Sequence, residues 1–395
     1  MAHLSSFKKS KMSSSAPQVA EQTPSSGNRF EELDGLRGIA ALTVFFSHVY
    51  LMQKIDIIPS EVNSSVLRSL WDGDAAVFLF FILSGFVLAL PYLTTSKRSI
   101  EYIPYIVRRI FRIYPAYIFA LLFSLVLMHT VFIPENLTGL SPWIRSFWTT
   151  DVSLSEIGRH LSMIGPDTNK IDPPVWTLRL ELIISCIYPM IIYVLKGKNS
   201  KFVRWAVIIG FFAFCLIKPS AFFYFGLFIT GGIVAKVHMS AIQWLRKLST
   251  VMGALCLALA LCLYSSRFTI DLVGKNDIAW HILVGVGATL LIILAITYPP
   301  LTKLLKTRLI QFLGHVSYSF YLLHFPILLS VSSLVFPRIG SLWICAALSL
   351  ICSLVVSHLV VRLIETPFQN LGKKVSKLPA ITFLQKSVEA KVFPQ

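Results

Sequence analysis

Apolar runs of near membrane-spanning length recur along almost the whole chain, and no other feature constrains its fold so strongly. They read as ten helical spans at about 38–54, 74–93, 113–133, 178–195, 204–218, 220–236, 249–266, 279–298, 317–336 and 342–362. Two of these are only about 15 residues long, and 204–236 reads alternatively as a kinked pair with a re-entrant turn at Pro219. The composition agrees: 55% of residues are hydrophobic and 14% charged, against roughly 25% charged in soluble domains. Mean hydropathy is +0.70. The expected fold class is therefore all-α, a polytopic membrane protein of about ten transmembrane helices.

Charge orients the spans. Lys and Arg concentrate at 8–11, 97–112, 196–204, 236–247, 303–308 and 362–377. With ten spans all of these stretches fall on one side, which the positive-inside rule makes cytosolic, together with both termini. The opposite loops carry Asp56, Glu61, Asp72, Asp74, Glu135, Asp151, Glu156, Asp167, Asp172, Asp271 and Asp277. The formal charge of +17 is thus accounted for by topology and contact with anionic lipid. No basic patch sits on a soluble domain, so nucleic acid is not an expected partner.

Residues 1–28, rich in Ser, Lys, Gln and Pro, read as a disordered cytosolic tail. They lack a signal peptide's apolar core, so the first span is expected to be the membrane-targeting signal. Residues 30–370 read as one transmembrane domain and 371–395 as a basic cytosolic tail. The long loop at about 134–177, with Trp143, Trp148 and Pro173-Pro174, is expected to face outside and to cover the outer mouth. The six cysteines fall within spans without metal or pairing spacing, and read as small apolar residues. No metal is expected. No internal repeat suggests an inverted-repeat transporter.

Against this apolar background the ionisable residues inside the spans stand out, because each is costly in a membrane and functional by default. Arg37 and His48 in LDGLRGIAALTVFFSHVY are eleven residues apart, which on a helix brings them to one face about 16 Å apart along the axis. Arg37 keeps its charge and suits a phosphate or carboxylate, or serves as a positive-inside anchor. A neutral His48 can take a proton from an attacking hydroxyl, or be satisfied structurally by a neighbouring helix. Asp34 is placed to cap the helix or to pair with Arg37.

In RRIFRIYP, Arg108, Arg109 and Arg112 cluster at the expected cytosolic start of a span, a fit to a polyphosphate as well as to topology. In VWTLRLELIISCIYP, Arg179 and Glu181 diverge around the helix, so each requires a partner on another helix or in a wet cavity. In LGHVSYSFYLLHFP, Ser317, Tyr321 and His324 share one face, with His324 near mid-membrane; the alternative is interhelical hydrogen-bond packing. Glu365, in RLIETPF, is expected to form a salt bridge with the cytosolic arginines. Together these residues suit transfer of a group from a cytosolic nucleotide-bearing donor across the bilayer.

LDGLRGIAAL followed by His48, FFILSGF at 80–86, RRIFRIYP, WTLRLE at 176–181, LGHVSYSFYLLHFP and IETPF together resemble, in order, the landmarks of the membrane-bound acyltransferase 3 family. The resemblance covers about residues 30–370. It implies ten or so helices and a cytosolic acyl-CoA, usually acetyl-CoA, as co-substrate. It also implies acylation of a hydroxyl on a sugar or lipid-like acceptor. Carried onto this chain it makes His48 the catalytic histidine and places Arg37 with Arg108, Arg109 or Arg112 at the donor. Glu181 and His324 fall in the core of the site, and Tyr321 or His324 is expected to stabilise the oxyanion. Two departures bear on the acceptor. Ala76-Val77-Phe78 stands where many members have Gly-Val-polar, and no extracytoplasmic hydrolase-like domain accompanies the spans. Both favour a small apolar natural product, glycolipid or sugar-bearing acceptor over a cell-wall polysaccharide. The expectation is thus a multi-pass membrane O-acyltransferase, with plasma membrane and endomembrane not distinguished. A transporter or flippase of a lipid-like substrate is the alternative.

Overall fold

The computed structural model describes residues 30–55, 58–93, 101–149, 152–163, 170–196, 209, 221–245 and 249–392, and among them no strand occurs. Within the body Glu31–Gln395 the principal helices are α1 (Glu31–Leu51), α2 (Gly73–Leu93), α3 (Tyr102–Thr130), α4 (Leu154–Ser162), α5 (Val175–Lys196), α6 (Ala221–Leu245), α7 (Thr250–Tyr264), α8 (Asp277–Thr297), α9 (Arg308–Ile339) and α10 (Leu342–Val360). A π-helical turn, Val361–Glu365, continues α10 into α11 (Thr366–Val375), and α12 (Pro379–Val392) follows. Among the described residues, six helical stretches are long and apolar enough to cross a membrane: α2, α3, α5, α8, α9 and the run Leu342–Val375. The chain is an integral membrane protein.

Nine of the ten expected spans coincide with a helix; the expected span at 204–218 lies outside the described residues apart from Ile209. The systematic difference is at helix starts. α1 begins at Glu31, α3 at Tyr102 and α9 at Arg308, each about two to three turns before the hydropathy pattern suggests. The cause is local. These first turns carry Glu31, Glu32, Asp34 and Arg37, or Tyr102, Arg108 and Arg109, which depress hydropathy but are helix-compatible and find partners in the bundle. Arg108, Arg109 and Arg112 therefore lie in the second and third turns of α3, and the helix N-terminus is not beside them. Any anion site there rests on side chains, without the free N–H groups expected at a helix start.

α1 and α9 run parallel and form the central pair. A Cβ built on Gly38 lies 2.4 Å from the Gly314 backbone nitrogen, and one on Gly314 lies 2.3 Å from the carbonyl oxygen of Asp34. No side chain fits at either position, so the two backbones touch, as small residues permit between membrane helices. A second close crossing joins α2 to α6 at Gly85 and Gly231. Apolar clusters flank the central pair. One is built on Phe45, Val49, Phe320, Phe325 and Leu328 and is covered by Leu137, Leu140, Ile144 and Trp148 of the 134–149 segment. The other is built on Ile113, Tyr117, Leu178 and Leu322.

That segment is tied down by backbone as well as by rings. Ser141 donates from its amide to the Met52 carbonyl (3.0 Å) and from its hydroxyl to the Leu51 carbonyl (2.6 Å). Asn136 donates to the Ser333 carbonyl (2.8 Å). The 134–149 part of the long loop thus closes over the ends of α1 and α9 farther from the arginine cluster.

Candidate active site

The α1–α9 crossing brings two histidines of remote sequence together. The offset that sets Gly38 against Gly314 also sets His48 against His324, with His48 Nδ1 2.9 Å from His324 Nε2. The ring centroids are 5.1 Å apart and the planes 7° from parallel. With the nitrogens that close, the imidazoles meet edge to edge in nearly one plane, as an in-line hydrogen bond requires.

Proton positions follow from partners. The Phe320 carbonyl, 3.1 Å from His324 Nδ1, can only accept, so His324 donates from Nδ1. His324 Nε2 is then an acceptor, and His48 donates to it from Nδ1. The remaining lone pair of the chain is on His48 Nε2. His324 is fully buried and His48 only partly so, so the basic end of this chain is its accessible end.

Aromatic rings shape the space around His48. Trp143 of the loop stacks over it at 5.7 Å between centroids, and Phe325 meets it edge-on at 5.0 Å. Phe147 and Trp143 both pack on Phe325. Nothing in the sequence placed Trp143 on His48, because the contact depends on how the loop folds back over α9. Tyr321 lies next to His324, with ring centroids 5.9 Å apart. Its hydroxyl, however, is 2.8 Å from Thr177 Oγ1 and 3.3 Å from the Pro174 carbonyl, and makes no hydrogen bond to either imidazole. Ser317, on the same face of α9, bonds back to the Gly314 carbonyl (2.8 Å) and does not join the site.

About 16 Å along α1 from His48 lies the arginine cluster. The helix start moves Arg37 two turns into α1, where it pairs with Asp34 at 3.0 Å. Arg37 is near enough to Arg109, Arg112 and Glu181 to sense their charges. The four arginines differ in what they leave open. Arg109 is buried and committed, paired with Glu181 and donating to Ser185 Oγ at 3.1 Å. Glu181 also accepts from Ser84 Oγ at 3.1 Å, which gives the serine of FFILSGF a role that its sequence did not reveal. Arg108 turns towards Ser376 Oγ, 3.4 Å away. Arg112 is exposed and makes no ion pair or hydrogen bond among the described residues.

Glu181 thus has the interhelical partner that its position on α5 demanded. Glu365 does not form the expected salt bridge. It accepts from Ser319 Oγ and from Gln369 Nε2, each at 2.9 Å. The π-turn sets its carboxylate against α9, with no cation within ion-pairing distance among the described residues.

An imidazole pair at one end of the helical bundle and an arginine cluster at the other are the two poles of the candidate site. Residues 30–362 match the family model described as an acyltransferase domain. The chain belongs to the acyltransferase 3 family. It is 30% identical over 162 residues to the acyltransferase MdmB of Streptomyces mycarofaciens, covering 41% of this chain and 39% of that one. It is 31% identical over 174 residues to protein 2 in the picA locus of Rhizobium radiobacter, covering 40% of this chain and 81% of that one. The matched part is thus well under half the length of MdmB. No solved structure matches.

Proposed function

We propose that the protein moves an acyl group, acetyl in the simplest case, from acyl-CoA to a hydroxyl of a small apolar, glycolipid or sugar-bearing acceptor, with His48 as the general base. The observation that carries this reading is the hydrogen-bonded chain Phe320 carbonyl, His324, His48, which leaves one accessible lone pair on His48 Nε2.

In the reaction the acceptor hydroxyl gives its proton to His48 Nε2 as its oxygen attacks the thioester carbonyl. A new C–O bond forms, the C–S bond breaks, and the proton passes from His48 to the departing thiolate. His324 holds the His48 ring and tautomer through its acceptor nitrogen, as a carboxylate does for histidine in a hydrolase triad. Trp143 and Phe325 keep water from the reacting atoms.

The donor's phosphates are assigned to Arg37 and Arg112, with Arg108 able to swing in from Ser376. Arg112 supports this assignment, because a guanidinium without an ion-pair or hydrogen-bond partner among the described residues is available to a phosphate. Arg109 acts at one remove, as the counter-charge that holds Glu181. The separation of about 16 Å along α1 suits an extended pantetheine arm between phosphates and thioester.

The test uses purified full-length protein in lipid nanodiscs with acetyl-CoA. The acceptor is first found as a metabolite pair differing by one acyl mass between cells with and without the gene. Loss of transfer in His48→Ala with retained donor binding is the expected result. Transfer that survives this substitution would refute the assignment.

A further inference from the structure

Asp172 is a fully buried carboxyl group, 0% exposed, and neither of its oxygens has a hydrogen-bond partner among the described residues. Local sequence explains why. Asp172 ends the loop just before α5, where an aspartate ordinarily caps the helix. The next two residues are Pro173 and Pro174, which have no N–H to offer, and the Val175 amide bonds to the Asp172 backbone carbonyl instead (3.1 Å).

The nearby hydroxyls are also committed. Tyr117 and Tyr321 are close enough to sense the charge of this carboxyl group. Tyr117 donates to the His160 carbonyl at 2.6 Å, and the Tyr321 hydroxyl is engaged by Thr177 and Pro174. The adjoining Ile171 carbonyl receives the Trp148 indole N–H at 2.8 Å, which pins the segment in place.

A buried polar group without a partner is costly and rare, and calls for a water or a ligand to complete it. Burial holds this carboxyl well above the usual carboxylate range, so a neutral hydrogen-bonding partner suits it. Its position adds direction. The Tyr321 ring lies 5.9 Å from that of His324, and its hydroxyl bonds the carbonyl of Pro174, two residues on from Asp172, so the carboxyl belongs to the segment packed on the tyrosine next to the imidazole pair.

We propose that Asp172 is a second anchor for the acceptor, hydrogen-bonding a hydroxyl other than the one acylated, so that the site selects a polyol ring carried on an apolar body over a simple alcohol. This inference rests on the transferase reading above and names its acceptor class.

The test compares two probe acceptors with the same tail, octyl β-glucoside and 1-octanol, using acetyl-CoA and the full chain in nanodiscs below micellar concentrations. Wild-type protein is expected to prefer the glucoside. Asp172→Ala, which removes the carboxyl without adding bulk to the buried position, is expected to lower the glucoside-to-octanol ratio of kcat/KM by about tenfold or more. Asp172→Asn is expected to keep that ratio within about threefold. The Ala variant should melt near the wild-type temperature, because it removes an unpaired buried polar group and leaves only a small space.

An unchanged ratio in Asp172→Ala overturns the proposal and leaves a bound water as the partner. A large fall in melting temperature also overturns it, since the carboxyl is then structural. Wild-type protein that acylates octanol but not the glucoside sinks this inference alone. Wild-type protein that acylates neither probe, with no acylated metabolite in cells, sinks the transferase reading and this one with it.

Discussion

His48 Nδ1 lies 2.9 Å from His324 Nε2, and the direction of that hydrogen bond is fixed from behind by the Phe320 carbonyl. Two outcomes follow. His48→Ala removes the base and is expected to lower kcat/KM by about 10²–10⁴-fold. At position 324 the replacement decides the result. Gln offers His48 an acceptor and is expected to retain activity within about tenfold, whereas Phe offers none and is expected to lose on the order of a hundredfold. Steady-state kinetics with acetyl-CoA check both, and equal losses in the Gln and Phe variants would remove the orienting role from His324.

The histidine contact depends on a glycine contact two to three turns away. Because a Cβ on Gly38 falls 2.4 Å from the Gly314 nitrogen, Gly38→Ala must push α1 off α9. A cost of about 1–3 kcal/mol is expected, as for other overpacked sites. Turnover should fall as the imidazoles separate, although neither glycine is near a substrate. Once Gly38→Ala has parted the helices, adding Gly314→Ala should cost little more. Thermal melting and kcat of both singles and the double test this; simple additivity would mean that the contacts act independently.

The two ends of the arginine cluster should separate cleanly. Arg109 is buried and its partner Glu181 partly so, so removing either one strands the other, and losses of about 1–3 kcal/mol in stability are expected. Arg112 is exposed and unpaired among the described residues. Arg112→Ala is therefore expected to leave melting unchanged and to raise KM for acetyl-CoA about tenfold or more. Arg37→Ala should do the same with a smaller stability loss than Arg109→Ala, because its partner Asp34 is on the same helix and partly exposed. Isothermal titration with coenzyme A and melting curves for the four variants provide the comparison.

Much of this was legible in the sequence, and the rest was not for definable reasons. The helices show because hydropathy needs only local composition, and Arg37 with His48 shows because helical periodicity needs only spacing. The helix starts were misplaced where charged residues sit inside the bundle. Asp34 offsets Arg37, and Glu181 offsets Arg109, across distances that a hydropathy window does not see. His48 and His324 were each visible as an expensive imidazole, but their pairing depends on helix register, which Gly38 and Gly314 set by contact between chains of backbone remote in sequence. Asp172 looked like one more acid in an acidic loop. Only the burial of that loop against α3, α5 and α9 makes it distinctive.

The covering loop offers the most direct mechanistic test. Trp143 stacks on His48 at 5.7 Å and packs on Phe325, and Ser141 bonds to the last carbonyls of α1, so this ring seals the base from the far end. A water molecule at His48 Nε2 would be activated just as an acceptor hydroxyl is, and would hydrolyse the thioester. Trp143→Ala opens that position to solvent without touching the proton chain behind it. Transfer to the acceptor is expected to fall about tenfold while acetyl-CoA hydrolysis without acceptor rises several-fold, so the ratio of the two rates shifts far more than either alone. Trp143→Phe keeps an aromatic cover and should restore most of the ratio. The measurement is parallel assay of free thiol and acylated product. If both rates fall together in the Ala variant, the tryptophan serves the fold of the loop and water exclusion lies elsewhere.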